Sequence, residues 1–203
     1  MLDDAGYADC QITVSNSIDE DIIREMLMQG APVDSFAVGE RLIAAASEPA
    51  LNGVYKLAAI EKDGVISPRI KISDNTGKIT LPGVKTVWRL FDRNVGKAMA
   101  DLVTLSDEEL DQNAPYELFD PVHTWKRKTV DHFIARRLLQ PIFVGGKCVY
   151  ASPTLPEIQN YCHSQTATLW EEVKRFEKPH HYYVDMSQKL WDMRQELLRK
   201  FSK

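Results

Sequence analysis

Two short stretches carry residue types suited to holding an anion: Ser15-Asn16 and Val38-Gly39-Glu40. Each follows an apolar run, and the first leads into Ser17-Ile18-Asp19-Glu20, which fits a capping box that opens a helix. Amides at a helix start have no carbonyl partner within the helix and favour negative charge. Glycine at 39 lacks a Cβ and lets the backbone approach a phosphate closely. The spacing links the two stretches. Residues 11–14 read as one strand and residues 33–38 as a second, while Ile18, Ile22, Ile23, Met26 and Leu27 mark one face of a connecting helix that Gly30 and Pro32 stop. A strand, a helix and a parallel strand within about thirty residues form a right-handed crossover. In such units ligands bind beyond the carboxyl ends of the strands. Ser15, Asn16, Val38, Gly39 and Glu40 are therefore predicted to converge on one phosphate site. A plainer alternative stays open: Ser17 caps its helix, Gly39 turns the chain, and Glu40 repels an anion unless it points away, contacts a hydroxyl or pairs with Arg41.

Other constellations carry less chemistry. Cys162-His163 and His180-His181 are adjacent pairs whose side chains diverge on a helix or strand, so no metal site is expected. Lys56, Lys71, Lys85 and Arg89 recur on adjacent predicted strands and are expected to form a solvated sheet face. Residues 106–111 form an acidic connector, expected to be solvated, with Asp107 and Glu108 as its candidate cation ligands. The four tryptophans lie in apolar patterns, where core packing is the expectation.

The 203 residues, 44% hydrophobic and 27% charged, describe a globular protein of one or two domains. A net charge of -4 leaves no electrostatic footprint for nucleic acid, and Lys126-Arg127-Lys128 reads as a solvated turn or helix edge. Cys10, Cys148 and Cys162 are odd in number and widely spaced, as free thiols in a reducing compartment would be. No run of about 18 apolar residues exists and the opening does not resemble a signal peptide, so no membrane contact and a cytoplasmic location are expected.

Around the crossover the elements are punctuated by turn chemistry. Residues 2–6 resemble the last turn of a helix closed by Gly6, so the chain is expected to begin inside an element. Residues 42–46 continue as one or two helical turns until Ser47-Glu48-Pro49. Strands are predicted over 54–60, 69–73, 85–91 and 100–105, an antiparallel meander of about four strands with Asp63-Gly64 as hairpin chemistry. Short strands follow over 117–150, with a Gly145-Gly146 hairpin. One helix is predicted from Pro156 to about Phe176, and a last one after Ser187 buries Leu190, Trp191, Leu197, Leu198 and Phe201. The predicted layout is an α/β barrel portion over 1–50, a β meander over 51–105, and mixed strands and carboxyl-terminal helices over 106–203.

The order of these motifs resembles the carboxyl-terminal half of nicotinate phosphoribosyltransferases. The matching pieces are Thr13-Val14-Ser15-Asn16-Ser17-Ile18-Asp19-Glu20, Phe36-Ala37-Val38-Gly39-Glu40-Arg41-Leu42-Ile43, Gly53-Val54-Tyr55-Lys56-Leu57, Pro68-Arg69-Ile70-Lys71-Ile72-Ser73 and Leu81-Pro82-Gly83. Leu169-Trp170-Glu171-Glu172-Val173-Lys174-Arg175, Pro179-His180 and Tyr183-Val184-Asp185-Met186-Ser187 extend the match to the tail. Departures from the family pattern are Ser17, Ala37 and Glu40, where aspartate, glycine and, in some members, threonine are found. The resemblance implies an irregular, TIM-like α/β barrel with a β-rich subdomain, usually in a homodimer. It also implies an enzyme of NAD biosynthesis that joins nicotinate to phosphoribosyl pyrophosphate with ATP and Mg2+, with no tightly bound cofactor. By the same resemblance, Ser15, Asn16, Val38, Gly39 and Glu40 hold the 5′-phosphate of the ribosyl group. The family's phosphorylatable histidine, Asp-Ser-Gly-Asp motif and nicotinate-binding residues precede the stretch matched here, and a whole (β/α)8 barrel needs about 250 residues. The expectation is a carboxyl-terminal portion that has no catalytic residues of its own, is inactive alone, needs the amino-terminal half as partner and self-associates. A truncated paralogue acting as a binding or assembly module is the alternative.

Overall fold

The parallel crossover forms, with shorter strands than the apolar runs predict. In the computed structural model, which describes residues 2–46, 49–50 and 53–201, β1 (Thr13–Ser15) pairs in parallel with β2 (Ser35–Ala37). Between them runs α1 (Glu20–Met28). The strands are pinned by the Ile12 amide donating to Asp34 Oδ2 at 2.7 Å and by the Thr13 and Ser35 hydroxyls at 2.7 Å. Before β1, the expected glycine cap closes a single 3-10 turn, Asp3–Ala5, where the Gly6 amide donates to the Asp3 carbonyl at 3.0 Å. After β2 comes α2 (Glu40–Ile43), one turn long; the expected break at Ser47-Glu48 lies outside the described residues. The chain divides into two compact units, Met1–Tyr55 and Lys56–Lys203.

In the second unit the expected hairpin turns form, and the strands pair differently from a single meander. Asp63 (φ 52°) and Gly64 (φ 75°) both take positive φ, the mirror-image turn that matches strand twist, between β3 (Ala59–Lys62) and β4 (Val65–Pro68). No strand forms over 69–73, where the Lys71 amide instead donates to Thr80 Oγ1 at 2.9 Å and the Thr80 amide to the Lys71 carbonyl at 3.4 Å. Next come β5 (Lys85–Asp92), β6 (Ala98–Leu105), β7 (Tyr116–Phe119), β8 (Arg127–Val130) and β9 (Phe133–Arg137). The Gly145-Gly146 hairpin joins β10 (Phe143–Val144) to β11 (Lys147–Cys148) as expected. Then follow α3 (Leu155–Ala167), β12 (Val184–Met186) and α4 (Gln188–Phe201).

The predicted meander is not one sheet. β3 and β4 form a separate ribbon, whereas β5 and β6 belong to a four-stranded sheet ordered β12-β6-β5-β9. That sheet is mixed, because β12 lies parallel to β6 while β5 is antiparallel to both of its neighbours. Among the described residues the parallel pairings are β1 with β2 and β12 with β6, and no closed barrel is formed. α3 also ends sooner than the apolar pattern predicts. The Thr168 hydroxyl donates to the Gln165 carbonyl at 2.6 Å, satisfying a terminal acceptor where propensity is weak.

The core of the second unit follows the alternation of β5 and β6. Trp88 and Leu90 pack with Ala100, Leu102, Leu118, Val130 and Phe133, and the Trp88 indole donates to Thr104 Oγ1 at 3.1 Å. A second cluster joins Leu105, Phe119, Met186 and Leu190 beneath α4. On the opposite side of β5, Arg89 makes a bidentate pair with Asp101 at 2.8 and 2.9 Å, and the Tyr182 hydroxyl donates to the same carboxylate at 2.9 Å. Lys85 Nζ donates to the carbonyls of Leu81, Pro82 and Gly83, and burial lowers its pKa. These two cations are thus committed to internal partners, which corrects the predicted solvated basic face. The acidic connector is likewise engaged. Glu108 Oε1 accepts from the Leu105 amide and the Ser187 hydroxyl, each at 2.7 Å, and Asp107 pairs with Lys189 at 2.7 Å. Core packing holds for Trp88 and fails for Trp125, which is 73% exposed because it sits in the turn before β8.

Candidate functional site

The parallel register sets the geometry of the predicted anion site. Ser15 is opposite Ala37, so the chain leaves both strands at the same end, through Asn16-Ser17 on one side and Val38-Gly39-Glu40 on the other. All five predicted residues therefore come to one edge. Ser15, Asn16, Gly39 and Glu40 are exposed and Val38 is half-buried. A Cβ built on Gly39 would meet no atom within 4 Å, so the space beside that backbone is open to a ligand.

The first turn is strained. Asn16 (φ 86°) and Ser17 (φ 48°) occupy the left-handed region in succession, at a cost of order 1 kcal/mol or more each for residues with a Cβ. That conformation removes Ser17 from the capping position. Asp19 caps α1 instead, with Oδ1 accepting from the Ile22 amide at 3.0 Å. The capping box predicted from Ser17 and Glu20 is corrected accordingly. The sequence carried the signal, since Asp19 is itself a strong cap, but the left-handed pair before it could not be read from spacing.

Charge around the turns is sorted by one ion pair. Arg41 Nη1 lies 3.7 Å from Asp19 Oδ2, so its partner is Asp19 and not Glu40. Asp19, Glu20, Asp21 and Arg41, with Leu42, Ala45 and Ala46, line a cleft of about 380 Å3. Three carboxylates against one guanidinium make that cleft a poor place for an anion. The strand-end edge at Asn16 and Gly39, lacking such carboxylates apart from Glu40, suits one better.

The second unit holds a cleft that sequence inspection missed. Met99, Ala100, Leu118, Asp120, Trp125, Lys126, Arg127, Lys128, Tyr183 and Asp185 enclose about 520 Å3. Lys126-Arg127-Lys128 is therefore the wall of a cleft leading into β8, rather than only a solvated turn. The available signal was Asp185, an acid at an inward position of an apolar run. Asp120 accepts the backbone amides of His123 and Val122, and these bonds, the first foremost, hold its carboxyl down to about 2. Cys10, Cys148 and Cys162 are free and exposed, and among the described residues no group of three or more His, Cys, Asp or Glu is placed to hold a metal ion. No described helix is long and apolar enough to cross a membrane.

Comparison with known proteins adds the following. Residues 84–194 match the model of the nicotinate phosphoribosyltransferase C-terminal domain. A nicotinate phosphoribosyltransferase of Bacillus subtilis is 39% identical over 200 residues, covering 98% of this chain and 41% of that protein. The human nicotinate phosphoribosyltransferase is 28% identical over 179 residues, 88% of this chain and 32% of its own length. A crystal structure of human nicotinic acid phosphoribosyltransferase shares the fold over 96% of this chain and 34% of that one, with a TM-score of 0.59 at 24% identity. The chain thus spans between about a third and two fifths of the length of these relatives.

Proposed function

This chain belongs to the nicotinate phosphoribosyltransferase family, and we propose that it supplies the 5′-phosphate cradle of such an enzyme through Ser15, Asn16, Val38, Gly39 and Glu40. The observation that carries this is the parallel pairing of β1 with β2, which opens both turns at one edge beside the unfilled space at Gly39. On this reading the reaction is the ATP-driven joining of nicotinate to phosphoribosyl pyrophosphate, with Mg2+ accompanying the polyphosphate substrates. The chain's own part is to bind and orient the ribosyl phosphate: amides at the start of α2 and the polar turn 15–17 face the anion, while Arg41, held by Asp19, fixes the two turns relative to each other. The groups that react belong to an amino-terminal partner segment, and the chain alone is inactive and self-associates.

The test is reconstitution. The pure chain is expected to form no nicotinate mononucleotide, and addition of a separately made amino-terminal half of the Bacillus subtilis relative is expected to restore turnover. In the restored enzyme, Gly39→Asp is expected to raise KM for phosphoribosyl pyrophosphate at least tenfold, by placing a carboxylate where the phosphate sits. Turnover by the chain alone sinks the claim of inactivity, and an unchanged KM in Gly39→Asp sinks the cradle.

A further inference from the structure

In the second unit one carboxylate, on a largely buried residue, takes no hydrogen bond from the described residues, while its oxygens keep some contact with solvent. Asp185, in β12, is 6% exposed and lines the 520 Å3 cleft, and no described side chain or amide hydrogen-bonds its carboxylate. The other charges there differ in kind. Asp120 is committed to the amides of Val122 and His123 and to His123 Nδ1 at 3.1 Å, and Arg127 pairs with Glu117. Lys126 and Lys128 line the same cleft and have no ion-pair partner among the described residues.

Drawing a carboxylate largely out of water without pairing it is unfavourable, and a donor brought into the cleft would relieve that cost. Burial, followed by the charge of Asp120, pushes the Asp185 acid up to about 6, with His181 acting the other way. Along the cleft, Met99, Ala100 and Leu118 offer apolar surface, and the rings of Trp125 and Tyr183, 73% and 47% exposed, each meet one histidine edge-on, His123 at 5.1 Å and His181 at 5.4 Å, and keep exposed surface for stacking. We propose that this cleft binds a flat heteroaromatic molecule that presents an N–H or cationic nitrogen to Asp185 and an anionic group to Lys126 and Lys128, of which an amino-bearing nucleoside monophosphate is the simplest example. The volume lies within the range of small-molecule sites. The site uses none of the residues of the phosphate turns, so it stands or falls independently of the cradle.

Calorimetric titration of the chain with adenosine 5′-monophosphate tests it. Saturable binding is expected, weakened about tenfold by Asp185→Ala and by the pair Lys126→Ala and Lys128→Ala, as loss of a charged hydrogen bond implies. Purine riboside 5′-monophosphate, which lacks the amino group, and adenosine, which lacks the phosphate, are each expected to bind about tenfold more weakly. A melting temperature of Asp185→Ala at or above that of the parent shows that the fold is intact, and Trp125→Ala, at an exposed position, repeats the loss without touching the core. Absence of saturable binding, unchanged affinity in folded Asp185→Ala, or equal binding of the three compounds overturns the proposal.

Discussion

The two units use the same kinds of element and differ in what they bury. Among the described residues of 2–55 the strands are three residues long and the one buried apolar side chain is Ile18, at 2% exposure, whereas Met28 and Ile43 are 81% and 87% exposed. In residues 56–201, Leu90, Leu102, Phe133 and Leu190 are each at 0%. A parallel pair is stable when both its faces are covered, and α1 covers little of β1 and β2. The candidate phosphate turns thus rest on a unit with scarcely any core among its described residues, whereas the other unit has one. On the proposed function, an amino-terminal partner segment would cover that apolar surface and hold the turns in shape.

Replacing one aromatic residue in each unit gives the largest contrast. Phe133→Ala should lose about 3–5 kcal/mol of unfolding free energy, while Phe36→Ala, at a half-buried strand position, should lose about 1 kcal/mol or less. Urea titration followed by amide hydrogen exchange in each unit reads both, and equal losses would break the comparison. Glycines sharpen it next. Gly83 sits at φ +79°, and a Cβ there would lie 2.9 Å from Leu105 Cδ2 and 3.3 Å from Met193 Sδ, so Gly83→Ala should destabilise by about 1–3 kcal/mol. Gly39→Ala, entering open space, should change the melting temperature little and act on phosphate affinity instead.

A third contrast lies within the second unit, which keeps one group working against its own stability. An unfolded aspartate titrates near about 3.9, and folded Asp185 is raised to about 6 by burial. Between those values the native state binds more protons than the unfolded one, so this group's contribution is full below about pH 4 and is lost as pH rises through about 6. Relative to the parent, Asp185→Asn should therefore gain stability as pH goes from 4 to 7. A difference that stays flat over that range would show that burial does not burden this acid. The smallest effect belongs to the weaker unit: Asp19→Ala removes the cap of α1 and should lower its local stability by about 1 kcal/mol. Amide exchange should quicken in residues 20–28 and stay unchanged in β5 and β6.

What could be read from the sequence was what neighbouring residues decide. Asp63-Gly64 and Gly145-Gly146 announced their hairpins because positive φ is a property of those residues, and the apolar spacing of residues 18–27 announced the crossover helix. The five candidate site residues meet at one edge because parallel strands joined by a helix leave no other end for them. What escaped was settled at long range. Nothing local says that β12 lies beside β6, that β3 and β4 leave the main sheet, or that Arg89 spends its charge on Asp101. The Asp185 cleft escaped for the same reason, since its walls come from β6, β7, β8 and β12.

The position of β12 also governs the order in which the molecule can be built. The strand that completes the main sheet follows β7 to β11 and α3 in the chain, and it docks in parallel against β6, made long before. A nascent chain emerging from the ribosome must therefore carry β6 with an open edge until β7 to α3 have been made and β12 has emerged, a topology that slows closure and invites a chaperone or a neighbouring chain to occupy the vacant edge first.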